Sequence, residues 1–454
     1  PDAPRDPALA RELQLNTQDM YDWLARLPWT EGNSPLPNLP VYEQWARDLY
    51  EHGDMDDEYW LQKGLNFEAH LGQSANVPTL YSSGWYDSYT RATTDLYVAA
   101  NDRFQSQQLL MGPWTHGEGS LDNHWAGEVD LGPEAPLHTA DATNTKEAHL
   151  EWFDRHLRGV DNAADQTPVR LFVMGGGSGG RTDAGRLDHG GAWRNEDTWP
   201  LSRAVPTPFY LHPDGTFLAN ISPTSEGGTT NFQYDPQHPL PTISANTSSL
   251  NEIVPTPARV ALPTPITLMR VMVIQGGADQ RTRPDLAGAE PPFAPLEDRA
   301  DVLAFTSAPL TEDMEVTGPV EAVIHLDSDA PDTDLFVQLQ DVYPESADWP
   351  EGYRLNITDG LMRVRYRGGM DSPELMQPGE TYEVRFQLYP TCNRFVAGHR
   401  IRVLVSSSSF PRFDPNPNTG EPIGRHTHTQ VATNTIHHSA DHPSHIVLPL
   451  VPVE

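Results

Sequence analysis

Cysteine, lysine and long apolar runs are nearly absent from this sequence of 454 residues. Its single cysteine, Cys392, excludes a disulfide within the chain and a cysteine-based metal site. No apolar run reaches the roughly 18 to 20 residues of a membrane-spanning helix, so the sequence predicts a soluble protein. Lysine occurs only at Lys63 and Lys146, and the formal net charge is -33 at pH 7. Because nucleic acids and anionic membranes are bound through Lys and Arg, this charge argues against both as partners.

The usual patterns of cofactor and metal sites are also missing. Neither a phosphate-binding loop nor a dinucleotide fingerprint is present, so no cofactor is predicted. Two sets of residues offer metal ligands by number alone, namely the aspartates Asp327, Asp329, Asp332 and Asp334 and the histidines His426, His428, His437, His438, His442 and His445. The aspartates lack the glycine and the terminal glutamate of an EF-hand, and the histidines lack the spacing of a zinc site. We interpret both sets as structural or surface residues and predict no metal, with calcium at the aspartates left open.

Two short stretches between residues 81 and 117 share one pattern. In each, an apolar run (Val77–Tyr81 and Gln108–Met111) meets a glycine, and an ionisable residue follows, Asp87 in the first and His116 in the second. Such runs are typical of buried parallel strands, and active sites of open α/β sheets lie beyond the carboxyl ends of the strands. The pattern therefore predicts that the Asp87 carboxylate orients the His116 imidazole as a general base. From the spacing alone, a turn-forming Asp and a surface His remain open.

The residues around this pair resemble a known family. Gly84-Trp85-Tyr86-Asp87 and Gly112-Pro113-Trp114-Thr115-His116-Gly117 are similar to the acid and histidine motifs of the cocaine-esterase and X-Pro dipeptidyl-peptidase-like (CocE/NonD) serine hydrolases, a group that includes α-amino-acid ester hydrolases and glutaryl acylases. The resemblance implies an α/β-hydrolase fold and a Ser-His-Asp triad that cleaves an ester or an amide. The acid and the histidine of that triad would be Asp87 and His116.

The same resemblance places the substrate next to the acid. It implies that Tyr89, with Trp85 and Tyr86, lines the pocket for the acyl group. Ser88-Tyr89-Thr90-Arg91 carries no carboxylate, unlike the acidic neighbourhood that holds the substrate ammonium in the amino-acid ester hydrolases. This difference favours a hydrophobic or aromatic acyl group, and ordinary packing of Tyr89 stays an alternative.

A nucleophile is not found where the family order requires it. The triad runs Ser, Asp, His along an α/β-hydrolase, yet no Gly-x-Ser-x-Gly followed by a helix precedes Asp87. The literal match around Ser178 comes after the histidine and leads into a Gly-rich and Asp-rich stretch, so we interpret it as a loop. The sequence also begins at a proline. We expect the serine and the oxyanion hole on a missing N-terminal segment or on a second polypeptide, and we expect this chain alone to be inactive.

The chain divides into three predicted parts. Residues 1–75 form an incomplete helical cap, with helices at 41–50 and from 54 onward. Residues 76–165 form the C-terminal part of the α/β-hydrolase domain, with helices over 90–100 and 145–157; the apolar face of the latter consists of Leu150, Trp152, Phe153 and Leu157. Residues 166–454 contain many short alternating runs and form a β jelly-roll (galactose-binding-like) domain. The predicted fold class is α/β followed by all-β.

One alternative function belongs to a different class. The chain could be a non-catalytic jelly-roll binding module with a hydrolase remnant that has lost its nucleophile, recognising carbohydrate or a protein partner. An upstream Gly-x-Ser-x-x-Gly would exclude this alternative. The sequence leaves the leaving group, the compartment and the oligomeric state open, a homo-oligomer included.

Overall fold

Helices lie near the amino end of the chain and strands fill the rest, in a computed structural model that describes residues 6–7, 9–11, 13, 20–54, 57–137, 144–162, 167–224, 227–248, 251–254 and 268–452. The α-helices are α1 (Met20–Leu24), α2 (Pro40–Glu51), α3 (Thr90–Asn101) and α4 (Thr145–Arg158), and short 3-10 helices span Glu68–Gln73, Glu118–Ser120, Leu296–Asp298 and Val364–Tyr366. The strands are β1 (Thr79–Tyr86), β2 (Gln107–Thr115), β3 (Trp125–Ala126), β4 (Val129–Asp130), β5 (Val169–Met174), β6 (Leu187–Asp188), β7 (Gly191–Glu196), β8 (Val205–Leu211), β9 (Phe217–Ala219), β10 (Gly228–Tyr234), β11 (Ser244–Ala245), β12 (Asn251–Val254), β13 (Leu268–Val271), β14 (Ile274–Gln275), β15 (Leu303–Thr306), β16 (Met314–Gly318), β17 (Glu321–Ser328), β18 (Asp334–Tyr343), β19 (Tyr353–Arg363), β20 (Tyr382–Gln387), β21 (Thr391–Phe395), β22 (Arg400–Ser406), β23 (Ala432–His438) and β24 (His445–Val451).

The strands β1 and β2 and the helix α3 form the α/β unit that the sequence predicts. The two strands pair in parallel, with Thr79 opposite Gln107, and their last residues are almost all buried. The helix α3 connects them and packs against both, burying Thr94, Tyr97 and Ala100. This confirms the helix predicted over residues 90–100. The carboxyl ends of both strands therefore lie at one edge of the sheet, beside the start of α3.

One large sheet joins this unit to the β-rich remainder of the chain. Its 13 strands follow the path β1-β2-β5-β21-β16-β24-β17-β23-β10 with side branches. The strand β5 pairs in parallel with β2 on one side and touches β21 on the other. A second sheet, β15-β22-β18-β19, lies against it, and residues of both sheets, such as Phe172 and Leu339, share one buried core. The predicted fold class, α/β followed by a β-rich part, is confirmed, and the jelly-roll topology of that part stays a prediction.

The helix α4 forms as predicted, but much of its predicted apolar face is exposed. Asn144 caps its amino end by accepting from the amides of Lys146 and Glu147, and Gly159 ends it with a left-handed backbone at φ 69°. Trp152 of that face is half-buried, whereas the other three residues are solvent-exposed. Leu150, Phe153 and Leu157 are 59%, 52% and 77% exposed. They form an apolar stripe along α4, because none of the described elements covers that side of the helix.

The amino-terminal region is only partly helical. The helix α2 confirms the prediction for residues 41–50, and Glu43 within it is buried and accepts from the Ser34 hydroxyl at 2.6 Å. The helix predicted from residue 54 is not found, since residues 57–67 form turns. Asp57 Oδ1 accepts from the amide of Tyr59 at 2.8 Å, a local bond that competes with helix formation. Among the described helices, none is long and apolar enough to cross a membrane.

Arginines neutralise two of the aspartates that had been left open for calcium. Asp334 pairs with Arg363 at 3.1 Å and Asp332 with Arg365 at 2.8 Å, and Asn416 donates to both carboxylates. Burial raises the pKa of Asp334 to about 6. Within the described part of the chain, no three His, Cys, Asp or Glu side chains are grouped so as to hold a metal ion. These carboxylates act as internal partners for buried guanidinium groups.

Candidate active site

The strands β1 and β2 extend beyond Gly84 and Gly112, up to Tyr86 and Thr115. Gly84 and Gly112 lie directly opposite each other across the pair. A Cβ on Gly112 would lie 2.4 Å from the Trp114 ring, and one on Gly84 would lie 2.1 Å from the Trp114 carbonyl oxygen. Both glycines are therefore required by the close approach of Trp114.

A β-bulge follows these glycines. Gly84 is opposite Gly112, whereas Tyr86 is opposite Thr115, so β2 gains one residue relative to β1 over this step. Bulges bend a strand and re-aim the side chains that follow, and they are frequent beside active sites. This one directly precedes His116. The shift in register brings His116 level with the turn that follows β1, which carries Asp87.

We predict that Gly112→Ala destabilises the protein by about 1–3 kcal/mol, because the added methyl group collides with the Trp114 ring in a fully packed region. Urea unfolding measures the change. Gly64→Ala is the matched control, since a Cβ at Gly64 meets no atom within 4 Å. Equal stability of the two variants would show that the Trp114 contact does not constrain the strand pair.

The side chains of Asp87 and His116 are within hydrogen-bond distance of each other. His116 Nδ1 lies 3.2 Å from Asp87 Oδ1 and 3.3 Å from Asp87 Oδ2. An ionised carboxylate can only accept, so Nδ1 is the donor and Nε2 is left as the basic nitrogen. Asp87 is 8% exposed, whereas the His116 side chain is 41% exposed. This arrangement suits an imidazole that takes a proton from a group approaching through solvent.

Local backbone bonds fix the direction of the Asp87 carboxylate. Its Oδ1 accepts from the amide of Tyr89 at 2.8 Å. The hydroxyl of Thr90, the first residue of α3, lies 2.5 Å from the Gly84 carbonyl oxygen and 2.6 Å from that of Asp87. We call residues 84–90 the acid turn. Because its ends are held together, the carboxylate has one preferred orientation, toward His116.

The three residues predicted to bind substrate lie in two different settings. Tyr89 is 56% exposed, and its ring centroid lies 5.2 Å from that of His116. Trp85 and Tyr86 are buried: Trp85 Nε1 donates to the Phe172 carbonyl at 2.7 Å, and the Tyr86 hydroxyl donates to the Asn356 carbonyl at 3.0 Å. Desolvation raises the pKa of Tyr86 well above its ordinary value. Substrate binding by these three residues stays a prediction, with Tyr89 alone beside the imidazole.

His116 opens onto a cleft of about 540 Å³. One wall comes from the segment after β2, including Trp125 and Glu128, and the other from residues 274–286 of the β-rich part. Arg283 bridges the two walls by pairing with Glu128 at 2.7 Å, and Asp285 holds it at 3.1 Å. The sequence analysis missed this second wall, because residues 274–286 carry no motif and reach the site only through tertiary folding.

Two candidate serines are hydrogen-bonded to groups other than His116. Ser178 lies in the Gly-x-Ser-x-Gly match, and Ser120 lies close to His116 in sequence. Ser178 Oγ donates to Asp188 Oδ2 at 2.6 Å in an exposed loop with no helix after it. Ser120 lines the cleft, but its hydroxyl lies 2.6 Å from the carbonyl oxygens of Thr115 and Gly117. In the part of the chain that the structure describes, no serine hydroxyl is hydrogen-bonded to His116 Nε2.

Comparison with known proteins gives matches along almost the whole chain. Residues 162–447 match the X-Pro dipeptidyl-peptidase C-terminal non-catalytic domain, and residues 10–118 match the X-Pro dipeptidyl-peptidase of the S15 family. The second match contains both Asp87 and His116. Cocaine esterase of Rhodococcus sp. (strain MB1 Bresler) is 35% identical over 434 residues, which are 92% of this chain and 64% of that protein.

Solved structures give the same extent of similarity. An α-amino acid ester hydrolase is 25% identical with a TM-score of 0.69, and an aminopeptidase from a marine sediment archaeon (Thaumarchaeota) is 22% identical with a TM-score of 0.70. Each similarity covers 95% of this chain and 64% of the other. The chain thus spans less than two thirds of the length of these relatives.

Proposed function

The chain belongs to the cocaine-esterase and X-Pro dipeptidyl-peptidase-like family of hydrolases, and we propose that it forms the acid- and histidine-bearing part of a serine hydrolase that cleaves an ester or amide bond. The observation that carries the proposal is the hydrogen bond from His116 Nδ1 to the buried Asp87 carboxylate at the ends of two parallel strands. This is the geometry in which a carboxylate orients a general base.

In the proposed mechanism, His116 takes up and then gives back one proton during acyl transfer. His116 Nε2 takes the proton of a serine hydroxyl as the oxygen attacks the substrate carbonyl, and it then returns the proton to the leaving alcohol or amine. Asp87 holds the imidazole in the tautomer with the proton on Nδ1 and stabilises the imidazolium that forms. Water then attacks the acyl carbonyl while His116 takes its proton; the bond to the serine oxygen breaks, the proton passes to that oxygen, and the carboxylic acid leaves.

We place the serine and the oxyanion hole outside this sequence, on an N-terminal segment or a second polypeptide. Two surfaces support the presence of such a partner. Among the described strands, β1 pairs only with β2, so its other edge presents unpaired backbone groups to which a further strand can bind. The exposed stripe of Leu150, Phe153 and Leu157 on α4 is apolar surface that solvent does not favour.

A hydrophobic or aromatic acyl group fits the site best. The Tyr89 ring lies against His116 and is more than half exposed, so it presents an aromatic face beside the reacting carbonyl. The neighbouring Ser88 and Thr90 add no charge that would hold an ammonium group. The relative named cocaine esterase, with its 35% identity, supports an ester as the bond that is cleaved.

A fluorophosphonate probe tests the proposal. We expect the isolated chain of 454 residues to remain unlabelled and to hydrolyse a nitrophenyl ester no faster than the buffer does. We expect a form that carries an upstream segment, or a co-purifying second chain, to be labelled on a serine outside this sequence, as located by intact-mass and peptide analysis.

Two results would contradict this assignment. Labelling of the isolated chain that disappears in Ser178→Ala would make the exposed loop serine the nucleophile. Failure of every form to react would leave the Asp87–His116 pair without a nucleophile and would favour the binding module with a hydrolase remnant.

A further inference from the structure

We propose that Asn246 is a positioning residue for the Asp87–His116 pair, an inference that rests on the proposed hydrolase function. Asn246 belongs to the β-rich part of the chain, yet it is only 4% exposed and its side-chain amide contacts the acid turn. Its Nδ2 lies 2.7 Å from the Trp85 carbonyl oxygen and 3.2 Å from that of Asp87. With its two hydrogens, the amide nitrogen thus links the carbonyl groups of Trp85 and Asp87, two residues of the acid turn.

A third contact links the amide to the start of α3. Asn246 Nδ2 lies 3.4 Å from Thr90 Oγ1, which itself donates toward the Gly84 and Asp87 carbonyls. The turn is therefore fixed from inside by Thr90 and from outside by Asn246. Without the amide, the Trp85 carbonyl would lose its side-chain donor in a buried setting, at a cost that a shift of the turn would relieve.

Asn246 is well placed to hold the turn because its own segment is anchored. It directly follows β11, which pairs with β14 at the wall of the cleft. The Ser244 hydroxyl donates to Asn356 Oδ1 at 2.7 Å, while the Tyr86 hydroxyl donates to the Asn356 carbonyl. The end of β1 and the Asn246 segment are thus held by the same residue, and a rigid support of this kind keeps catalytic groups within productive distance.

The consequence concerns the rate of the chemical step. Asn246 does not itself line the cleft, and its side-chain amide contacts the acid turn, so its loss acts through the direction of the Asp87 carboxylate. A displacement of about 1 Å in such a pair lowers the rate by on the order of 100-fold. We therefore expect kcat to fall about 10- to 100-fold while KM changes little. A role in substrate binding would raise KM instead.

The first test uses the isolated chain and does not require activity. A Nδ1 proton held by a carboxylate exchanges slowly with water and gives a low-field proton NMR signal, assigned to His116 by its loss in His116→Gln. We expect this signal in the wild-type chain and in Asn434→Ala, and its loss in Asn246→Ala. Asn434 is the matched control, a fully buried asparagine that donates to the Thr333 and Ser407 hydroxyls.

A second variant tests whether loss of the signal comes from the missing amide rather than from a packing defect. Asn246→Asp keeps the volume of the side chain but presents acceptors to the three oxygens, so we expect it to lose the signal as well. Thermal unfolding confirms that the variants compared are folded. The kinetic test repeats the set in the active form that carries the serine, where the Asn246 variants are expected to lose kcat and Asn434→Ala to retain it.

The outcomes separate this inference from the function on which it rests. If the wild-type chain lacks the His116 signal, the Asp87–His116 bond does not form and both proposals fail. If the signal and kcat persist in both Asn246 variants, the positioning role is wrong while the serine hydrolase stands. Loss of the signal in Asn434→Ala to the same degree would show a general loosening of the fold and would also overturn the positioning role.

Discussion

Replacement of His116 by alanine is expected to lower kcat of the active, serine-bearing form on the order of a million-fold. His116 Nε2 is the basic nitrogen that the Asp87 bond leaves open to the cleft, and a serine hydroxyl without such a base is a weak nucleophile. KM is expected to change little, because the imidazole acts on the proton and not on the bound acyl group. Steady-state hydrolysis of a nitrophenyl ester at equal concentrations of folded protein measures the change.

His437→Ala is the matched control for this experiment. His437 is also paired with an aspartate, since its Nε2 lies 2.6 Å from Asp327 Oδ2, but it sits on β23 in the β-rich part. We expect kcat of this variant to stay within about twofold of the wild type, because His437 lies on β23, away from the Asp87–His116 pair. A loss of less than tenfold in His116→Ala would mean that another group serves as the base.

Asp87→Asn is expected to lower kcat about ten-thousand-fold with the fold intact. The amide of Tyr89 needs an acceptor, so the oxygen of the new side chain stays on that amide and its NH2 group faces His116 Nδ1. A donor in that position forces the imidazole proton onto Nε2, and the ring then has no free nitrogen for the serine proton. A change in the pH of the assay would not restore the tautomer with the proton on Nδ1.

The control for the aspartate replaces the carboxylate of the second pair. Asp327→Asn removes the charge that His437 contacts and is expected to leave kcat unchanged. Stopped-flow or steady-state kinetics on the two variants gives the comparison. If Asp87→Asn retained more than a tenth of the wild-type kcat, the carboxylate would be only a turn former, which is the simpler interpretation that the sequence alone left open.

Local patterns explain why much of this site could be predicted. Apolar runs next to Asp87 and His116 indicate two buried strands, and parallel strands with a helix between them end at the same edge of the sheet. The helix α4 was predicted from its own periodicity and its glycine stop, which are properties of neighbouring residues. Each of these features depends on residues within a few turns of one another.

The remainder depends on contacts that no local pattern contains. Whether the apolar residues of α4 are covered or exposed depends on which other elements pack against the helix. The sequence of the helix alone therefore could not show that they are exposed. The bulge before His116 accompanies the close approach of Trp114 to the paired glycines, which no local pattern shows. Asn246 and the Arg283 wall reach the site from far along the chain, and an asparagine or an arginine in isolation has no distinctive pattern.

The continuous sheet limits how this chain can be recombined. The region matching a non-catalytic domain begins at residue 162, yet β5 within it pairs directly with β2, the strand that leads to His116. The side chain of Asn246 and the cleft wall come from the same region. A graft of that region from a relative would therefore replace a flank of the catalytic strand and one side of the cleft together, so the two regions are expected to have co-adapted as a single inherited unit.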